Sequence, residues 1–166
     1  AGVVRSTPVT HLDFYQTITE CVGEQAVNSG GDTDLPGQSL YDLAANGDDA
    51  TRPVLSEYHA GGSPSGGFML RKGQFKLNYY IGFEPELFDL DSDPEELTNL
   101  ASDPAHAETL KDLERELRKI VDPEEIDRRA KADQAALVER HGGRDSVVAK
   151  GGFGASPAPG HKAVFN

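Results

Sequence analysis

Glu57 and His59, in the stretch Val54 to Ala60, are the first residues whose types and spacing could do chemistry. The stretch alternates as a strand does, with Val54, Ser56, Tyr58 and Ala60 on one face and Leu55, Glu57 and His59 on the other. Glu57 and His59 are therefore same-face neighbours, close enough to pair directly or through water. A carboxylate beside an imidazole can hold the ring in its cationic form, which grips a sulfate or phosphate oxygen. The same two residues also make a satisfied polar pair at a sheet end, and both readings stand. Next comes Gly61-Gly62-Ser63-Pro64-Ser65-Gly66-Gly67. Glycines and hydroxyls directly after a strand suit a loop at the rim of a cleft, which adds Ser63 and Ser65 as substrate-cleft candidates. The loop lacks a P-loop Lys-Ser/Thr and does not lead into a helix, so nucleotide binding is disfavoured.

Other reactive residue types have plainer readings. His11 has no second catalytic group at a useful spacing and reads as a neighbour of a helix cap. Asp32, Asp34, Asp42, Asp48 and Asp49 invite a calcium site, but Asp32-Thr33-Asp34-Leu35-Pro36-Gly37 lacks the spacing and closing Glu of an EF-hand loop. Cys21 is the single cysteine, which excludes an internal disulfide framework, and no Cys/His cluster has zinc spacing. The site residues thus include no metal ligand. Lys72, Lys76 and Arg71 read either as anion binders or as a charged hairpin tip that guards the sheet against edge pairing.

Net charge is −12, and it is concentrated. Glu84 to Glu125 holds fifteen acidic residues against four basic ones (Lys111, Arg115, Arg118, Lys119), while the rest is close to neutral. No basic footprint for nucleic acid exists, and no apolar run approaches the ~20 residues of a membrane span. The chain starts at Ala1 rather than an initiator Met, so the lack of a signal peptide carries no weight. The reading leans cytoplasmic.

The elements that must position these residues follow from periodicity. Ala1 to Arg5 reads as the end of a strand. Thr10 is the expected cap of a helix, with Asp13 reaching back and Leu12, Tyr15, Ile18 and Val22 at helical spacing. Glu24 to Thr51 is a polar connection with a short helix near Ser39 that would bury Leu40 and Leu43. Val54–Ala60, Phe68–Arg71, Phe75–Ile81 and Leu87–Leu90 are strands, the middle pair forming a hairpin at Lys72-Gly73. After Leu87-Phe88-Asp89-Leu90 comes an acidic turn, Asp91-Ser92-Asp93-Pro94, and then a helical turn from Glu95-Glu96 anchored by Leu97 and Leu100. Asp103-Pro104 opens a helix with an apolar stripe of Leu110, Leu113, Leu117 and Ile120. Asp122-Pro123 opens another that runs to about Arg140, with i,i+4 pairs Glu124–Arg128, Glu125–Arg129 and Asp127–Lys131, ending at His141-Gly142-Gly143. Gly151 to Asn166 is a Gly/Pro-rich tail. The fold class is α+β, a four-stranded antiparallel sheet with a helix packed across it.

Three stretches, in order, resemble one family. Leu87 to Ala101 resembles the Leu-Phe-Asp-Leu, Asp-Pro-x-Glu, Asn-Leu-Ala pattern near the C-terminal end of sulfatases, in the alkaline-phosphatase superfamily. Pro8-Val9-Thr10-His11-Leu12-Asp13-Phe14-Tyr15-Gln16-Thr17-Ile18 resembles the same family's Pro-Val-Ser-His-x-Asp-x-x-Pro-Thr segment, with Gln16 where proline is usual. Arg52 to Tyr58 followed by Leu70 to Leu77 resembles the strands that precede the acidic turn. The resemblance implies the C-terminal subdomain of an alkaline-phosphatase-like α/β fold. Residues 1–51 would end the catalytic α/β core, 52–121 form the sheet-plus-helix subdomain, 122–150 an extra helix and 151–166 the tail.

It also implies that the parent protein hydrolyses sulfate esters with a formylglycine nucleophile and a divalent cation, calcium in particular, neither of them held by this chain. The family's Cys/Ser-x-Pro-x-Arg motif is absent: Cys21 is followed by Val22-Gly23-Glu24-Gln25. No catalytic residue is therefore expected here, and the fragment alone should be inactive. The implied partners are the missing N-terminal catalytic half, a small sulfate-ester substrate and a second copy met through the C-terminal helix and tail. Two alternatives stay open: a phosphonate or phosphate-ester hydrolase of the same superfamily, and a stand-alone, non-catalytic interaction module.

Overall fold

In the computed structural model, the described residues are 2–23, 35–59 and 63–150. They form α1 (Leu12–Val22), α2 (Leu40–Ala45), β1 (Val54–Tyr58), β2 (Gly67–Lys72), β3 (Phe75–Tyr80), β4 (Glu86–Asp89), α3 (Ala107–Ile120), α4 (Pro123–Arg140) and α5 (Gly143–Ala149). The chain divides into two compact units, one up to Glu124 and one from Glu125 on. The expected Ala60 end of β1, Asp32 and Asp34, Gly61-Gly62 and the tail from Gly151 lie outside the described residues.

The sheet has the order β1-β2-β3-β4, every neighbour antiparallel. Its register explains its core. Leu55 faces Leu70, Leu70 faces Leu77 and Leu77 faces Leu87, so one leucine row crosses all four strands on one face. Leu70, Leu77 and Leu87 are fully buried. α3 packs against β2 and β3, with Leu113 and Leu117 buried in its stripe. Each such leucine contributes about 1.5–3 kcal/mol by leaving water. Ile120, expected in the stripe, is 46% exposed because the helix ends there and turns away into the extended Val121. Asp103 and Pro104 start the segment as expected: the Asp103 carboxylate accepts from the Ala105 amide at 2.9 Å. The first turn is a 3-10 turn, Pro104–His106, before α3 proper.

The two edges of the sheet differ. At β4, the Leu87 amide donates to Asn99 Oδ1 (3.0 Å) and the Leu87 carbonyl accepts from the Leu100 amide (2.8 Å), so residues 99–100 cover that edge. The expected helical turn at Glu95-Glu96 does not form. Glu96 takes φ 57°, Asp93 Oδ2 accepts from the Thr98 amide, and the acidic side chains outcompete helical bonding. Leu97 consequently projects outward, 82% exposed, and is no anchor. Lys76 Nζ grips both Glu96 oxygens at 2.8 and 2.6 Å and holds this unusual backbone in place. Lys72 pairs with Glu116 on α3 at 3.1 Å. Both lysines are committed to carboxylates, and their hairpin is central in the sheet, so it guards no edge.

Residues 2–10 run without strand structure, contrary to expectation, since no described strand lies beside them to complete a ladder. Leu40 and Leu43 in α2 are only half-buried. The six-residue helix is too short to seat both against α1. The second unit holds most of α4, with Asp127–Lys131 as expected at i,i+4 (2.8 Å). Glu125 takes Arg128 at i,i+3 rather than Arg129 as its direct partner. Glu124, in the first unit, turns back to Arg118 and to the Tyr79 hydroxyl at 3.0 Å rather than on to Arg128. The Arg118 guanidinium holds the Glu124 carboxyl at about 2, well below the usual carboxylate range. α5, after Gly142, has no counterpart among the expected elements.

Gly37 connects the loop before α2 to α1. Its φ is 115°, and a Cβ there would lie 2.4 Å from the Leu12 carbonyl oxygen. Gly37→Ala therefore meets both backbone strain and a backbone clash. Thermal unfolding is expected to show a loss of about 2 kcal/mol or more; an unchanged Tm would refute the close approach.

Candidate substrate cleft

Everything about the β1 end is set by Arg52, two residues before the strand. Its guanidinium donates to both oxygens of Asp13 on α1, at 2.7 and 3.1 Å, and to the Pro8 carbonyl at 2.7 Å. The Asp13 side chain is wholly buried and that of Arg52 is 13% exposed. The Asp13 oxygens also accept from the Thr10 amide (2.8 Å) and the Gln38 amide (2.9 Å). Asp13 does reach back as expected. The cap position, however, is His11, whose side chain makes no cap bond and stacks on Phe14 at 5.7 Å. His11 is exposed, which accords with its reading as a helix-start residue.

At the far end of β1, His59 Nε2 lies 3.3 Å from Glu57 Oε2, so the expected same-face pair is formed. The His59 ring meets Phe68 edge-on at 5.4 Å, which fixes its plane. Ser63 Oγ donates to the Ser65 carbonyl at 2.6 Å, and Ser65 itself is buried. A shallow cleft of about 220 Å³ is lined by Glu57, Ser63, Ser56, Tyr58, Asn78 and Tyr80 among others. Glu57 and Ser63 are thus brought together; His59 and Ser65 flank the cleft without lining it.

The cleft also contains groups that sequence reasoning passed over. Tyr80 donates to Glu86 Oε2 at 2.8 Å and Asn78 Nδ2 donates to the same oxygen at 3.1 Å. Burial first, then the bond to Glu86, pushes the Tyr80 hydroxyl up to about 12, so it is a protonated donor at neutral pH. The alternation that placed Lys76, Asn78 and Tyr80 on one face was the available signal. A second, larger groove of about 800 Å³ runs beside β1, lined by Val9, Leu12, Phe14, Leu55, Met69 and Ile120 among others. It is mostly apolar. Among the described residues no three His, Cys, Asp or Glu side chains converge as a metal site requires.

Residues 1–123 match the family model described as N-sulphoglucosamine sulphohydrolase, C-terminal. The chain belongs to the sulfatases. It is a sulfatase C-terminal domain, and the catalytic motif of the family falls outside it. It is 40% identical over 99 residues to choline-sulfatase of Rhizobium meliloti (strain 1021), covering 59% of this chain and 19% of that protein. It is 33% identical over 124 residues to arylsulfatase K of Rattus norvegicus, covering 68% of this chain and 21% of that protein. This sulfatase domain therefore spans only about a fifth of the length of those relatives. A solved 2-O GAG sulfatase superposes with a TM-score of 0.53 at 25% identity, over 75% of this chain and 26% of that one. A phosphonate monoester hydrolase from Silicibacter pomeroyi superposes at 0.50 with 24% identity, over 69% and 25%, which shows the shared fold alone. Among the described residues no helix is long and apolar enough to cross a membrane.

The buried pair gives the sulfatase domain a pH signature. Burial is the largest influence on Asp13 and raises its pKa. The Arg52 bond and the Thr10 and Gln38 amides together outweigh it, so the carboxyl ends below its ordinary value. A depressed folded pKa means stability that is present above the unfolded carboxylate pKa, ~3.9, and lost as pH falls through the folded one. Asp13→Asn, which leaves Arg52 buried without its charge partner, is expected to cost about 3–5 kcal/mol at pH 7. In urea titrations the gap between wild type and variant should narrow below about pH 4; a gap constant with pH would refute the linkage.

Proposed function

We propose that the protein containing this domain hydrolyses sulfate esters, and that the domain shapes the substrate end of its cleft. The match of residues 1–123 to a sulfatase C-terminal model carries this reading. The names of the relatives, choline-sulfatase and arylsulfatase K, support it. The nucleophile, a formylglycine, and a divalent cation, calcium, belong to the remainder of that protein. Cys21 lacks the flanking motif, and the described residues contain no converging ligand set.

Within the domain, Glu57 and Ser63 present an acceptor and a hydroxyl to the substrate. His59 holds Glu57 in its orientation, and Ser65 holds Ser63. The roles are binding and positioning, with no bond made or broken on these residues. In the intact parent protein, Glu57→Gln and Ser63→Ala are expected to raise KM by about three- to tenfold, on the scale of one lost hydrogen bond, with kcat nearly unchanged. A fall in kcat with unchanged KM would overturn the binding role. Assay of the parent on 4-nitrophenyl sulfate against a phosphonate monoester tests the reaction class, and preference for the phosphonate would overturn it. Assembly of the parent through α4 and the segment after Lys150 completes the reading. Truncation after Lys150 should lower the number of subunits read from the native mass; an unchanged number of subunits would refute it.

A further inference from the structure

The shallow cleft near the end of β1 is built mostly from one face of the sheet. The register sets Tyr58, Gly67 and Tyr80 side by side in one row, and Ser56, Met69, Asn78 and Glu86 in the next. Alternation puts both rows on the face away from α3, because Lys72 and Tyr79, which contact that helix, belong to the leucine face. Gly67 leaves the floor bare between two tyrosines. A Cβ added there would lie 3.5 Å from the Tyr80 ring, so that ring leans over the glycine.

What distinguishes this cleft is where its hydrogens go. A carboxylate only accepts, so the Tyr80 hydroxyl and an Asn78 N–H, both on Glu86 Oε2, must donate to it. The Ser63 hydroxyl donates to the Ser65 carbonyl. These three side chains have spent donors on the protein itself, and each keeps an oxygen that can accept: Tyr80 Oη, Asn78 Oδ1 and Ser63 Oγ. A hydroxyl that donates to a carboxylate is polarised by it and accepts more strongly. Glu57 adds a carboxylate, and among the described residues no Lys, Arg or His lines the cleft. Ser56 and Tyr58 carry rotatable hydroxyls that serve either way. A sulfo group, anionic and with oxygens that only accept, meets like charge and few donors here.

We infer that this cleft selects the alcohol portion of the ester through its hydroxyl donors and excludes the sulfo group, with Tyr80 and Asn78 setting specificity and Glu86 positioning them from behind. The inference rests on the sulfatase reading for there being an ester to bind. The ligand class that fits is a neutral polyol. Its hydroxyls match the three neutral acceptors, and its C–H face matches the tyrosine rings and Met69 on the floor. An ammonium group fits less well. Glu86 does not line the cleft, and its Oε2 is taken by two neutral donors. Glu57 has one oxygen paired with His59.

The test uses the intact parent protein and three esters: glucose 6-sulfate, 4-nitrophenyl sulfate, which bears no hydroxyl, and 2-aminoethyl sulfate, which bears an ammonium. Tyr80→Phe should lower the preference for glucose 6-sulfate over 4-nitrophenyl sulfate by about three- to tenfold, through KM rather than kcat. Glu86→Gln should act in the same direction. Should either variant not fold, Gly67→Ala decides: its methyl fits beside the Tyr80 ring but fills the floor, and should also lower the preference. Losses equal on both esters, or falling on kcat, would overturn the specificity role. A larger loss on 2-aminoethyl sulfate than on glucose 6-sulfate would overturn the polyol assignment in favour of a cation. Release of sulfate from none of the esters would sink the sulfatase reading and leave the cleft to be read by saturation-transfer NMR. Glucose should then receive saturation from the wild-type parent and less from Tyr80→Phe; equal transfer would overturn the cleft as well.

Discussion

The ion pair between Asp13 and Arg52 is the constraint on which the first unit depends. A buried pair gains little over apolar packing, because desolvating two charges offsets most of their attraction. What it supplies is uniqueness. Asp13 has two oxygens, and the guanidinium, the Thr10 amide and the Gln38 amide together use both, so α1 has one orientation in which every group is satisfied. Arg52 in turn holds the Pro8 carbonyl, tying the N-terminal segment to the entrance of β1. The helix, the loop before α2 and the first strand are therefore positioned by one carboxylate. The leucine row then carries that position across the sheet to β4.

Polar fastening on one side and aliphatic packing on the other give the unit two regimes. Under α3 the sheet is packed with buried leucines; α1 is held to the loops before α2 and β1 by hydrogen bonds among side chains and loop amides. The two regimes meet along β1. The Glu57–His59 pair and the cleft sit at the end of that strand, where the hydrogen-bonded side hands over to the aromatic edge of Phe68. A site at such a junction inherits rigidity from the core while keeping polar groups at solvent.

Much of this was legible in the sequence. The four strands, their antiparallel order, the helix across them and the pairing of Glu57 with His59 all follow from periods of two and 3.6. Where the reading departed, side-chain hydrogen bonding had overridden periodicity. At Glu95-Glu96 carboxylates captured backbone amides and a helical turn became a loop. At α1 the apolar spacing was correctly seen, but no single-sequence pattern distinguishes a stripe buried within a domain from one presented outward. The Asn78, Tyr80 and Glu86 cluster was missed for a related reason: alternation says which residues share a face, not that the face is folded over into a cleft.

The unequal edges of the sheet have a consequence for self-association. Residues 99–100 occupy the backbone groups of Leu87, so a strand arriving from that side finds its partners taken. Among the described residues, the outer edge of β1 has no such cover from a neighbouring strand. Two copies that met edge to edge through β1 would use up the open side of each. A sheet with one covered and one open edge could grow from one side only, so edge-to-edge pairing through β1 would leave a pair with both open edges used.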